Sequence, residues 1–224
     1  MKFSQSHFRW FGIVGVIILT LTSLVTALFF RTAAGFPYSP LNHFISELGW
    51  EGHSTLAGVF NSGLILSGVL FIGFLLGLGF SIHNAWAKIG MICGVIAAIF
   101  CSLVGVFPIN HLPQHIFVAM GFFRGGLATV ILFAIAIQVQ PKGKTHIPKT
   151  ANFFSITAIM AYGSFLILNA AKVDAISASF SLGTMTAPPS FRLLAVVEWG
   201  VFIFTILWFL GVALLVPCRN QPAQ

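Results

Sequence analysis

Six long apolar runs, separated by short polar links, set the pattern of this chain. They cover residues 10–30, 55–82, 86–107, 113–139, 151–171 and 191–216. A helix needs about 20 apolar residues to cross a hydrocarbon core, and each run has that length. The links are rich in proline, glycine and charge and leave no room for a soluble domain. The pattern predicts an all-α, polytopic bundle of six transmembrane helices, a single domain over residues 1–224.

Composition sharpens this reading. Charged residues make up 7% of the chain and hydrophobic ones 58%, whereas soluble domains carry about 25% charged residues. Such a chain cannot cover a water-facing surface, so its solvent is lipid. The net charge of +7 does not point to nucleic acid, because the basic residues lie between the apolar runs and form no stripe. They act as topology signals. With the N-terminus inside, Lys2, Arg9, Lys88, Lys142, Lys144, Lys149 and Arg219 fall on the inner side, against Arg31, Lys172 and Arg192 outside. This bias places both termini in the cytoplasm and the loop of residues 36–54 outside. The first run is too long for a signal-peptide core, and Arg31 stands where a cleavage site would need small residues. A retained first helix is expected.

Glycine pairs at i, i+4 (Gly73 and Gly77, Gly90 and Gly94, Gly121 and Gly125) allow close helix contact in lipid. Packing within the bundle is their first use, and a homo-oligomer contact the other. Cys93, Cys101 and Cys218 have neither disulfide nor metal spacing. No phosphate loop, nucleophile elbow, zinc-protease or dinucleotide motif occurs, and no cofactor or metal is called for.

The polar residues are concentrated. Residues 36–60 hold Glu47 and Glu51 together with His43 and His53. Asn61, Asn110, His111, His115, Asn169, Lys172, Asp174 and Arg192 fall at the same, outer, end of the predicted bundle. Glu47, flanked by apolar residues, needs a partner, for which His115 and Arg192 are the candidates. Ser39, Asn42 and Ser46 suit the capping of short turns. His111 and His115 have the i, i+4 spacing of a metal pair, but Pro113 sets His111 ahead of the helix. Two charges lie deeper: counted from Pro113 and Pro189, Arg124 and Glu198 sit about 16 and 13 Å below the helix starts. A lone charge at such depth costs about 2.5–3.5 kcal/mol on insertion scales, so the two are expected to pair, as a packing contact or as the floor of a polar cavity. Ser155, Tyr162 and Asn169, seven apart, share one helix face. They suit interhelical hydrogen bonds or a cavity wall.

The stretch PYSPLNHFISELG, then LAGVFNSGLILSG, with GVFPIN and His115 further on, resembles a family of small bacterial and archaeal membrane proteins known as domain of unknown function 998. The resemblance runs from the first helix to the sixth and points to Ser39, Asn42, Ser46, Glu47, Asn61, Pro108 and His115. It implies a multi-pass protein of the cell membrane, in bacteria the inner membrane. The layout is also similar to the six-helix Frag1/DRAM/Sfk1 proteins, some of which handle lipids, an analogy of fold alone.

The expected activity is binding, or chemical modification, of an amphipathic, lipid-like ligand at the outer half of the bundle. Glu47 and His115 would be the acid–base couple, with Ser39, Asn42, Ser46, Asn61, Arg124, Arg192 and Glu198 on the ligand. Membrane lipid is then the expected partner, and whether the chain is an enzyme stays open. Two other classes remain: a small solute or proton-coupled transporter, motivated by the two deep charges, and a non-catalytic assembly subunit, motivated by the glycine faces.

Overall fold

The computed structural model of the protein describes residues 7–32, 35–141, 147–173 and 190–217. Lys2, Lys142, Lys144, Asp174, Cys218 and Arg219, which entered the sequence reading, lie outside the described residues. The helices are α1 (Phe8–Phe29), α2 (Ala57–Ser81), α3 (Ala85–Val106), α4 (Leu112–Gln138), α5 (Asn152–Ala170) and α6 (Leu193–Leu215). All six are long and apolar enough to cross a membrane. No strand occurs among the described residues. The chain is a multi-pass, all-α membrane protein.

Local chemistry explains where the helices begin and end. Asn84 caps α3, its side-chain oxygen accepting the Ala87 N–H at 2.9 Å. Pro113 stands in the first turn of α4, where its missing N–H costs nothing. Short 3-10 turns precede α4 (Ile109–His111) and α5 (Lys149–Ala151).

Each helix packs on its neighbours in sequence, and α6 closes the ring against α1. The outward faces are apolar: Leu28, Phe117 and Ile167 are 71%, 70% and 70% exposed. Only lipid can solvate that surface, since water would penalise every such side chain. The interior is unevenly filled. In the half remote from the 36–54 loop, aromatic rings close the centre. Phe71 stacks on Phe209 at 3.9 Å between centroids, and Trp208 packs edge-on to Phe209 at 5.1 Å and tilted to Phe133 at 5.8 Å. Their polar atoms are satisfied across helices, as burial in hydrocarbon demands. The Trp208 indole N–H donates to Ser155 at 3.0 Å, and Thr205 donates to the Tyr162 hydroxyl at 2.8 Å.

The three glycine pairs all serve this packing. Gly73 and Gly77 lie under Phe11 and Phe8 of α1, Gly90 and Gly94 under side chains of α4 and α2, and Gly121 and Gly125 against Phe100 and Ala97 of α3. A different kind of approach occurs at Gly68, where an added Cβ would stand 2.7 Å from the Ala98 carbonyl oxygen, a backbone atom that cannot swing aside. Gly163, by contrast, opens onto empty space. Gly68→Ala should therefore lower the thermal unfolding midpoint, at a cost of about 1–3 kcal/mol from overpacking. Gly163→Ala should leave it unchanged or raise it, because alanine favours helix by about 1 kcal/mol over glycine. Thermal unfolding followed by circular dichroism in one detergent compares the two.

Candidate functional site

The 36–54 loop folds back over the open end of the ring. At its centre is a 3-10 turn, Ile45–Gly49, with the sequence ISELG. Its leading N–H groups have no partner within the turn, and once buried they must find one elsewhere. Two carboxylates supply it. Glu47 reaches back so that the Phe44 N–H donates to its Oε1 at 3.0 Å. Glu198, on α6 and 153 residues away, accepts the Ile45 N–H at 2.8 Å.

The rest of the loop is held the same way, through its main chain. Asn61 of α2 donates to the Gly49 carbonyl at 3.1 Å. A side chain at residue 49 would collide with the Asn61 side-chain oxygen, so any larger residue there would displace this anchor. Asn110, in the turn before α4, takes the Glu51 N–H at 2.9 Å and donates to the Glu51 carbonyl at 3.0 Å. On the other flank the Tyr38 hydroxyl donates to the Phe44 carbonyl at 2.8 Å and accepts from the Trp199 indole at 2.9 Å. Burial pushes the Tyr38 phenol well above its usual range, so it remains a donor. His43 stacks on Tyr38 at 5.1 Å, and its Nδ1 accepts the Ser39 N–H at 3.4 Å. Burial lowers its pKa, as the positive charge of Arg192 also does.

Between this loop and the aromatic core the ring is hollow. A cavity of about 530 Å3 lies among α4, α5, α6 and the loop, within the usual range for a small-molecule site. Its polar lining is Ser46, His115, Asn169, Lys172 and Glu198, and the rest is apolar, including Ile116, Met120, Phe123 and Phe165. A deeper pocket of about 80 Å3, lined by Leu64, Phe71 and Val104, shares Ser46, His115, Ala119, Phe123 and Glu198 with it. His115 is positioned by its Nδ1, 2.8 Å from the Phe107 carbonyl. A carbonyl can only accept, so Nδ1 carries the proton and Nε2 is the nitrogen left for the cavity.

Of the nine residues picked from sequence, Ser46, His115 and Glu198 line the cavity. Ser39 and Asn61 build the loop instead, and Asn42 belongs to its first turn, its N–H on the Ser39 carbonyl at 3.2 Å. Glu47 and His115 do not form a couple. Glu47 is tied to Phe44 and, at 3.9 Å, to Arg192, which is one of its two expected partners; His115 is tied to Phe107. Nor do Arg124 and Glu198 pair. Counted from the helix starts at Leu112 and Leu193, Arg124 sits about 18 Å deep and Glu198 only about 8 Å. Arg124 is exposed on α4, whereas His115, half a turn out of phase with it, is buried. The partner of Glu198 is backbone, which no residue pattern announces. Lys172 was legible as a polar residue at this end but not as a member of the site, whereas Asn169 was read as an interhelical contact or a cavity wall. Of the helix-five stripe, Ser155 and Tyr162 make the interhelical bonds and Asn169 faces the cavity. His111 lies in the 3-10 turn ahead of α4 and is exposed, unlike buried His115.

The family model described as "Protein of unknown function (DUF998)" matches residues 13–215. The chain belongs to the DUF998 family. No curated protein and no solved structure matches it.

Two expectations follow from the geometry. Burial raises the Glu47 carboxyl to about 7, outweighing the Phe44 N–H and the distant Arg192, both of which favour the charged form. A carboxyl raised in the folded state binds its proton more tightly there than in the unfolded chain. Its contribution is therefore complete below the usual carboxylate range and is lost as pH rises through 7, on the order of 3 kcal/mol in all. Glu198, Tyr38 and Arg192 are the ionisable groups acting on it or beside it. Amide hydrogen exchange across residues 44–50, corrected for intrinsic rate, should speed up between pH 6 and 8.5, and Glu47→Gln should remove the change. For Arg124, removing an exposed charge at depth should help: Arg124→Leu should raise or preserve the unfolding temperature of the protein in nanodiscs. A fall of several degrees would mean that Arg124 has a partner inside the bundle.

Proposed function

We propose that this DUF998 protein binds an amphipathic, lipid-like ligand in the cavity beneath its 36–54 loop. The observation that carries the reading is the division of the cavity wall. Ser46, His115, Asn169, Lys172 and Glu198 supply donors, acceptors and charge, while α4 and α5 supply apolar side chains to the cavity and those of α2, α4 and α6 continue into the narrow inner pocket. A polar solute would leave the apolar wall dewetted, and a hydrocarbon would strand the polar groups. A molecule with a polar head and an apolar tail satisfies both. The positive-inside bias favours a loop end facing away from the cytoplasm, so the ligand would come from the outer leaflet of the cell membrane.

The transport reading draws support from the buried Glu198, but the rings of Phe71, Trp208 and Phe209 narrow the route towards the far side to a void of about 30 Å3. Modification of the ligand would need His115 as the proton-transferring group, through its free Nε2. Glu47 is occupied in the loop.

Ala119 lines both pockets, so a larger residue there fills the site from a helix whose backbone stays in place. Native mass spectrometry of protein released gently from membranes should find a bound amphiphile on the wild type and none on Ala119→Phe. The same ligand on both, or none on the wild type, would overturn the reading and return weight to transport or an assembly role.

A further inference from the structure

We infer that Lys172 is the anchoring cation of this site, and that the ligand is an amphiphile with an anionic head, phosphate or carboxylate, on one apolar chain. The inference rests on the cavity being a ligand site, as proposed above, and adds the chemistry of the head group.

The first observation is conformational. Helix α5 ends in a turn where the Val173 N–H bonds back to the Leu168 carbonyl at 3.1 Å and the Lys172 N–H to the Asn169 carbonyl at 3.1 Å. A helix closed in this way has a left-handed residue just past its end, and that place is normally taken by glycine. Here it is Lys172, at φ 55°, the one non-glycine residue with positive φ among those described. A Cβ at that φ is disfavoured, so nothing in the backbone asks for lysine. A lysine at a position that suits glycine points to a role for its side chain.

The second observation is electrostatic. Lys172 lines the mouth of the cavity, and its ammonium makes no ion pair among the described residues. The carboxylate deeper in the same cavity, Glu198, is held by the loop amide of Ile45, with Ser46 beside it, and Glu47 is opposed by Arg192. The acids near the site among the described residues are thus already engaged, and none of them answers the exposed lysine charge at the mouth. An anion between Lys172, the Asn169 amide and the Ser46 hydroxyl would answer it, since charge-assisted hydrogen bonds are the strong ones. The inner pocket, narrow and apolar, accepts the end of one chain.

The test uses three probes with the same tail: dodecyl phosphate, dodecanoate and monododecanoylglycerol, titrated into the full-length protein in phosphatidylcholine nanodiscs. The wild type should bind both anions about tenfold more tightly than the neutral glyceride, the difference that one charge-assisted bond makes. Lys172→Gly should lose that preference and bind all three alike, Lys172→Arg should keep it, and Ala119→Phe should bind none. Because glycine suits the helix end, ligand-free Lys172→Gly should unfold at the same temperature as the wild type or higher, which separates lost binding from lost folding. If dodecyl phosphate is the tighter anion, a phosphate-headed lipid is the source; if dodecanoate is, a fatty acid is. Undiminished anion preference in Lys172→Gly would overturn the assignment of Lys172, and equal binding of all three by the wild type would overturn the anionic head. In both cases the cavity remains a ligand site. Binding of no probe by the wild type would overturn the inference together with the reading beneath it.

Discussion

The arrangement at the open end depends on one contact, the Glu198 carboxylate on the first amide of the ISELG turn. A turn buried against a membrane bundle brings N–H groups that hydrocarbon cannot solvate, and each orphan would cost about 1–3 kcal/mol. Glu198 meets that demand from the bundle side and Glu47 from within the loop. The exchange is mutual, since a carboxylate costs more to bury than an amide and finds compensation in the N–H groups at the start of the turn. With the turn fixed, Phe44, Ile45 and Leu48 are buried and roof the hollow half of the ring.

Much of the fold was legible in the chain. The six runs gave helices whose ends shifted by no more than two residues, because caps and prolines at those ends act locally. The site was harder to read. The position of Glu198 could be read, but its partner is a main-chain amide, and no choice of side chain at residue 45 signals it. Arg124 was misassigned by counting depth without phase. Half a turn separates it from His115, and with one facing the interior, the other had to face out. Its depth relative to Glu198 also failed, because residues 191 and 192 remain outside α6, with Arg192 extended as its N-cap and its N–H on the Leu41 carbonyl at 2.8 Å.

The anchors of the loop share one physical role. Tyr38, Ser39, Glu47, Gly49, Asn61 and Asn110 are spread over the chain and share no chemistry, yet all hold one loop. Most of them act on its backbone. A motif of this kind specifies the shape of a wall and leaves the choice of ligand to the few residues behind it, among them His115, Asn169 and Lys172.

The loop's many anchors also bear on time. Lifting the roof means breaking hydrogen bonds to α2, to α6 and to the turn before α4 in one event, since the turn between them is too short to yield at one point alone. Cooperative openings of this sort fall in the microsecond-to-second range, far slower than side-chain motion. The roof is thus a slow wall, and a molecule beneath it would exchange through the mouth at Lys172 while the loop above keeps its shape.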